Sequence, residues 1–328
     1  MQNVSSSTKQ IEVPRTQRAR RRVAHLTLLL VLVILATSCS SLPASRSAPQ
    51  YVGIANNHIG LAVLSFANGK VVRMLTKGSN DQNPEVSYRH HLVYFAQASL
   101  GCNWSIYEVS LHGGPAKRIL RNLSNDGIFA VTPGGTEVAY ETVPGGCQPR
   151  PPATFVIDNV STGGNHVVKG APIFDAMAWS PRGDMLAVES YASAKAPDAV
   201  ILIHPSSSTA NLSVGAPEPC PDHAGYCSEF SPSFDSHGNL FYISVLDPNP
   251  RKPCDVNVCT TQRYVLTEVH NGKAMALLTV TAAAGYVPYL AVNPTGTAAI
   301  VSLPNGSFRW RRGGSIQRSV SIREEAWL

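Results

Sequence analysis

An all-β fold assembled from repeated four-stranded antiparallel units is what this sequence predicts, and three observations carry that expectation. Short apolar runs rich in β-forming residues alternate with tight-turn signals along most of the chain. One turn recurs between a short apolar run and the next, as Thr132-Pro133-Gly134-Gly135, Ser180-Pro181-Arg182-Gly183, Asp235-Ser236-His237-Gly238 and Asn293-Pro294-Thr295-Gly296, with final glycines 48, 55 and 58 residues apart. The composition, with 25 Gly and 24 Pro among 328 residues, 44% hydrophobic and 15% charged, suits many short strands and excludes a wholly disordered chain.

The unit reads most clearly from Ile173 to Val214. Ala176 to Ser180 is apolar and enters a turn with Ser first, Pro second and Gly fourth, the arrangement a type I turn favours. Strands Met185 to Ser190 and Ala199 to His204 follow, with a fourth, weaker strand reaching Val214. Equivalent second strands are Glu137 to Glu141, Leu240 to Val245 and Ala298 to Leu303. Turns between third and fourth strands recur at Gly113-Gly114, Gly163-Gly164, Asn271-Gly272 and Gly313-Gly314, residues that supply the positive φ a two-residue hairpin needs. A divergent copy has Asn83 to Ser87, His91 to Gln97 and Trp104 to Leu111, but its turn Ser87 to His90 lacks both Pro and Gly.

A four-stranded meander that is apolar on both faces is not stable alone, and a period of about 40 to 60 residues with four strands per unit predicts the blades of a β-propeller. The segments NPEVSYRHHLVYFAQ, SIYEVSLHGGPAKRIL and FDAMAWSPRGDMLAVES resemble the repeats of TolB-like propellers, relatives of the WD-repeat proteins, over residues 50 to 320 or so. The resemblance implies a fold and a disposition to bind, and no particular activity. Five units are complete. Tyr51 to Thr76 supplies two further good strands, at Leu61 to Phe66 and Val71 to Thr76, and leaves Tyr51 to Ile54 as an inner strand. A sixth blade made from this stretch, sharing a strand with the C-terminus, closes the ring and avoids open sheet edges; seven blades is the alternative.

The start of the chain reads as an address. Arg18 to Arg22 precede the apolar run Leu26 to Ala36 and the small residues before Cys39, which is the layout of a signal peptide. The apolar run is short for a span of about 20 residues. Ala36-Thr37-Ser38-Cys39 resembles the lipobox of bacterial lipoproteins, although that pattern usually has Leu where Ala36 stands. The resemblance implies cleavage before Cys39, lipid attachment to Cys39 and display outside the cytoplasm, anchored to the cell membrane; an ordinary secretory peptide and an uncleaved signal anchor are the alternatives. Residues 1–38 are therefore expected to form the signal or anchor, 39–50 a flexible tether and 51–328 the propeller. Six basic residues against Glu12 give the first 38 residues a charge of +5 out of the chain's +6, which leaves +1 for the rest. A charge so small predicts no nucleic acid partner.

Six cysteines besides Cys39 fit an oxidising compartment. In the four-stranded unit, Cys102, Cys147, Cys254 and Cys259 fall between second and third strands, and Cys220 and Cys227 fall between one blade and the next. Both loop classes emerge on one rim. The expected pairs are Cys102 with Cys147, Cys220 with Cys227 and Cys254 with Cys259, stapling long loops and rigidifying a face suited to binding.

Catalytic signatures are absent from the sequence: it contains no G-x-S-x-G, no H-E-x-x-H, no C-x-x-C and no phosphate-cradling glycine loop before a helix. Cys220, His223 and Cys227 could hold a metal, but a disulfide is the stronger expectation outside the cytoplasm. His90 and His91 read as solvated turn residues, and the Arg182-Gly183-Asp184 tripeptide as a turn. Tyr286, Tyr289, Phe308, Trp310, Phe174 and Trp179 read as propeller core. No cofactor is expected. Two functional classes remain: a membrane-anchored binding or scaffold lipoprotein for a protein or envelope ligand, and an extracytoplasmic propeller enzyme, such as a lyase, cyclase or glycan hydrolase, with its site in the central channel.

Overall fold

A computed structural model describes residues 49–54, 60–78, 80–87, 89–99, 103–124, 127–142, 154–168, 173–191, 199–204, 227–246, 261–283, 288–303, 306–314, 316–318 and 323–327. These residues contain no helix. They form six antiparallel sheets, taken in chain order. The first contains β1 (Gln50–Ile54), β2 (Leu61–Ser65) and β3 (Val71–Met74); the second β4 (Asp81–Ser87), β5 (Leu92–Ser99), β6 (Asn103–Ser110) and β7 (Lys117–Ser124). The third has β8 (Phe129–Val131), β9 (Glu137–Thr142), β10 (Thr154–Asn159) and β11 (Gly164–Val168), and the fourth β12 (Ile173–Trp179), β13 (Leu186–Tyr191) and β14 (Ala199–Ile203). The fifth comprises β15 (Cys227–Phe234), β16 (Leu240–Leu246), β17 (Thr261–His270) and β18 (Lys273–Ala283), the sixth β19 (Tyr289–Val292), β20 (Ala298–Leu303), β21 (Gly306–Arg311) and β22 (Gln317–Arg318). The last strand, β23 (Arg323–Trp327), returns to pair with β1.

That return corrects one expectation. Tyr51–Ile54 is not the inner strand of the first sheet, whose order is β23-β1-β2-β3. β1 is hydrogen-bonded on both sides, and Tyr51 and Val52 are fully buried, as residues of a central strand are. The inner place belongs to β23. The inner strands β23, β4, β8, β12, β15 and β19 touch one another in that order, and β19 touches β23 in turn. The expected fourth strand of the fourth unit, up to Val214, the signal or anchor at 1–38 and the tether as far as residue 48 lie outside the described residues.

The turns follow the chemistry expected of them. Gly135, Gly183, Gly238 and Gly296 all have φ between 64° and 86°, and each donates its N–H to the carbonyl of the residue that opens its turn. In the divergent copy the loop between paired Val86 and Val93 keeps the six-residue length found between Val131 and Val138 and between Trp179 and Leu186. His91, at φ 53°, takes the left-handed conformation that glycine takes elsewhere. Asn271 and Gly272, at φ 51° and 73°, form the hairpin turn between β17 and β18.

Packing explains why the central strands β2, β5 and β16 are continuous apolar runs. In β2, Leu61 and Val63 enter a core shared with the second sheet, while Ala62 and Leu64 enter one shared with the sixth. The same alternation sends Val93 and Phe95 of β5 towards the first sheet and Tyr94 and Ala96 towards the third. Likewise, Phe241, Ile243 and Val245 of β16 face the sixth sheet, while Leu240 and Tyr242 face the fourth. Period-two side chains thus feed a core on each face. Each pair of successive sheets owns one such core, and the core between the sixth sheet and the first completes the set.

A chain shortened to end at Arg318 is expected to unfold at lower urea concentration and over a broader range, because β1 loses its inner neighbour. An unchanged midpoint and slope in a far-UV melt would show that β23 is dispensable.

Candidate functional site

A cavity of about 530 Å³ lies along the inner strands β4, β8, β12, β15 and β19. Its lining extends from Gln82, Ile128, Ala176, Ser231 and Tyr289 to turn residues Pro133, Pro181 and Pro294. It therefore reaches the rim that carries the first-to-second-strand turns. The sequence reading favoured the opposite rim, where the cysteine loops belong.

Inner strands are sheet edges, so they tolerate proline and bulges that a central strand does not. Pairing between β4 and β5 slips between Gln82 and Glu85, between β12 and β13 at Phe174 and Met177, and between β15 and β16 at Phe230 and Ser233. Asn83-Pro84 and Ser231-Pro232 are the residues skipped in two of these, and Asn83 and Ser231 both take φ 50°. Each bulge is tied to a neighbouring sheet. Asn83 Nδ2 donates to the carbonyl of Gly127 at 3.1 Å. Ser231 N–H donates to Glu189 Oε2 at 2.9 Å, and its hydroxyl donates to the carbonyl of Pro288. Gly127 is itself required: a Cβ there would come within 2.6 Å of the Trp104 ring.

Further polar ties fix the inner wall. Trp179 Nε1 donates to the carbonyl of Ala130 at 3.1 Å, Ser87 Oγ to that of Pro133 at 3.0 Å, and Ser236 N to that of Pro294 at 2.7 Å. Glu229 accepts from Val200 N–H at 2.9 Å. Burial pushes its carboxyl up, and hydrogen bonds from Val200 and Tyr242 oppose the shift.

One residue before the closing pair of each first hairpin, the inner strands β8, β12, β15 and β19 carry Ala130, Ala178, Ser233 and Ala291. On β4, whose pairing runs one step further to Ser87 and Leu92, the matching residue is Glu85, opposite Tyr94 as Ala130 is opposite Ala139. Ala178, Ser233 and Ala291 line the cavity with small side chains, Ala130 is packed in a core, and β4 places a carboxyl on the wall. Glu85 has no hydrogen-bond or ion-pair partner among the described residues, and burial alone pushes its carboxyl to about 8. The other acid on the lining, Asp235, is committed to its own turn. Its Oδ1 accepts from His237 N and Asn239 N, both at 2.9 Å, and its Oδ2 from Asn239 Nδ2 at 2.7 Å.

Of the residues singled out in the sequence, Cys39, Cys102, Cys147, Cys220, Cys254 and Cys259 lie outside the described residues, as do His223 and Tyr286. Cys227 is the first residue of β15, opposite Leu246, so it opens an inner strand instead of lying in the connection before it. Trp310 is core, as expected, and Phe308 packs against the same cluster. Tyr289 departs from expectation: it is 45% exposed and lines the cavity, because it sits at the first position of the short strand β19. Trp179 belongs both to the core between the third and fourth sheets and to the cavity wall. His90 is exposed and bonds through Nε2 to the carbonyl of Gly134 at 2.9 Å, while Asp184 accepts from Ser180 Oγ at 2.7 Å within its turn. Glu85 was missed. Its signal was an acid at a repeat position otherwise held by small residues.

Among the described residues no group of three His, Cys, Asp or Glu side chains is placed to hold a metal ion. Comparison of the sequence with protein-family models and with curated proteins finds no match. Solved structures do match, and they are β-propellers of the TolB-like type. TolB from Acinetobacter baumannii superposes with a TM-score of 0.62 over 89% of this chain and 69% of its own, at 11% identity. The nidogen/laminin complex gives 0.53 over 85% and 97% at 12% identity. Oligogalacturonate lyase in complex with manganese gives 0.52 over 80% and 70% at 13% identity. The chain has the propeller fold of these proteins.

With its carboxyl raised, Glu85 keeps a proton in the folded chain that the unfolded chain releases between the ordinary carboxylate range and about pH 8. Stability therefore falls as pH rises through that window and levels off above it. Glu85→Gln is expected to remove this fall: the variant melts with the parent near pH 5 and is more stable by about 1 to 3 kcal/mol near pH 9. Parallel thermal melts at the two pH values check it, and identical curves for the two proteins at both would contradict the burial of this carboxyl.

Proposed function

We propose that this chain is a six-bladed β-propeller, anchored to the cell membrane and facing outside the cytoplasm, that acts as a binding or scaffold module for a protein or envelope ligand held at its channel. The observation that carries the reading is the cavity itself, concave and lined by apolar and polar residues together, with one uncommitted acid on its described wall. Six sheets joined by six cores, with the last strand paired to the first, support the blade count. The solved likenesses include the nidogen/laminin complex, in which two proteins are assembled.

A second reading, a channel enzyme of the lyase, cyclase or glycan hydrolase kind, draws on Glu85, since a carboxyl raised to about 8 is suited to general acid work. Glycoside hydrolysis usually needs a second carboxyl. On the described wall the other candidate is Asp235, already engaged by its turn, which favours binding.

The address rests on Arg18 to Arg22, the apolar run and Cys39. In this reading Cys39 carries the lipid, residues 39–50 link it to the propeller, and the pairs Cys102 with Cys147, Cys220 with Cys227 and Cys254 with Cys259 staple the loops of one rim. The mature part, at +1, is given no nucleic acid partner.

Two measurements test this. Intact-mass analysis of protein from the membrane fraction is expected to find a lipid-modified chain starting at Cys39, and residues 1–38 still attached would replace lipidation with an anchor. Capture of envelope components by the purified domain is expected to drop when Ala178→Trp fills the channel and to persist with the outer-strand change Met275→Lys; equal capture by both variants would move the binding site off the channel.

A further inference from the structure

An isolated carboxyl inside a protein is costly unless something compensates its charge. Glu85 is half-buried on the cavity wall with no partner among the described residues to compensate it, although Ala178, Ser233 and Ala291 show that a small neutral residue is compatible with the same position on that wall. Across the channel those small residues leave space in front of the acid. The surrounding wall mixes apolar residues, such as Ile128 on β8 and Leu290 on β19, with polar ones, such as Gln82 on β4 and Ser231 on β15. At the far end of the lining Tyr289 presents an exposed aromatic ring. A site with apolar stretches on a mixed wall, an aromatic residue at one end and one unpaired acid suits a ligand that is itself a short stem with a positive head.

We infer that the channel takes a single cationic group on an apolar stem, an alkylammonium or alkylguanidinium of the kind that ends a lysine or arginine side chain, with Glu85 as its counter-charge. The inference rests on the reading of the channel as a binding site and specifies what that site recognises. The stem lies against the apolar stretches of the wall, and the head reaches the layer of Glu85, Ala178, Ser233 and Ala291. The cation supplies the compensation that the fold does not, so the carboxylate forms when the ligand is present. A cavity of about 530 Å³ holds such a stem and head with room for water.

The test titrates the full mature chain by calorimetry with three probes of equal length: pentylamine, pentylguanidine and 1-pentanol. Both cations are expected to bind about tenfold or more tightly than the alcohol, the difference a charge-assisted hydrogen bond provides. Glu85→Gln is expected to bring the cations down to the level of the alcohol and to leave the alcohol unchanged. That variant keeps the shape of the side chain and removes a half-buried acid, so a thermal melt separates loss of binding from loss of fold. Equal binding of alcohol and cations, retention of cation affinity in Glu85→Gln, or no binding of any probe would each overturn the inference. If envelope capture still depends on an open channel while all three probes fail, the binding reading stands and only the cationic specificity is lost.

Discussion

Every sheet in this protein has to be covered on both faces, and the rest of the structure follows from that requirement. A β-strand sends successive side chains to opposite sides, so a sheet flanked by two neighbours needs apolar residues at consecutive positions. The central strands meet the need directly: LAVL in β2, LVYFA in β5, LFYI in β16 and AAIV in β20 each divide between two cores. A sheet with one solvated face could alternate apolar and polar residues; here solvent reaches the outer strands, as in β18, where Lys273 to Ala276 are exposed in succession.

Apolar cores set the spacing of sheets but not their height relative to one another; the directional bonds do that. Ser87 to Pro133, Trp179 to Ala130 and Ser231 to Glu189 each join a side chain or bulge on one inner strand to a group on an adjacent sheet. At the closure Arg309 donates to the carbonyl of Phe66, and the guanidinium of Arg311 lies 5.0 Å from the centre of the Phe66 ring. These bonds are formed mainly with backbone carbonyls and N–H groups. They therefore act as pins whose geometry is independent of the partner's side chain, which is compatible with repeats as divergent as these. The same pins hold the bulges that shape the channel wall, so the features that align the sheets also define the site.

Local chemistry made much of the fold legible in the sequence. A turn such as Ser180 to Gly183 is specified within four residues, and the apolar runs around it show where strands start and stop. That the C-terminus supplies a strand to the first sheet was legible, because the stretch from Tyr51 to Thr76 is a strand short; the place it takes was not, since nothing in Tyr51 to Ile54 says that its inner neighbour is Arg323 to Trp327. The turn at His91 was obscure for a different reason, since a histidine there adopts the backbone conformation that the other turns assign to glycine. The channel was the least legible part. Its wall is collected from five strands between Gln82 and Val292, and Glu85 stands out only when those strands are laid side by side.

The pairing of β1 with β23 also governs the order of events during folding. The sheet that begins first along the chain is the one completed last, because its inner strand follows the strands of the five other sheets. Until then, Tyr51 and its neighbours have a bare edge on one side, and the sixth and first sheets have no reason to meet. Contacts that span nearly the whole chain are slow to form, so the ring is expected to pass through a long-lived horseshoe, with five sheet-to-sheet seams made and one open. For as long as it lasts, that state exposes unpaired strand edges to other chains.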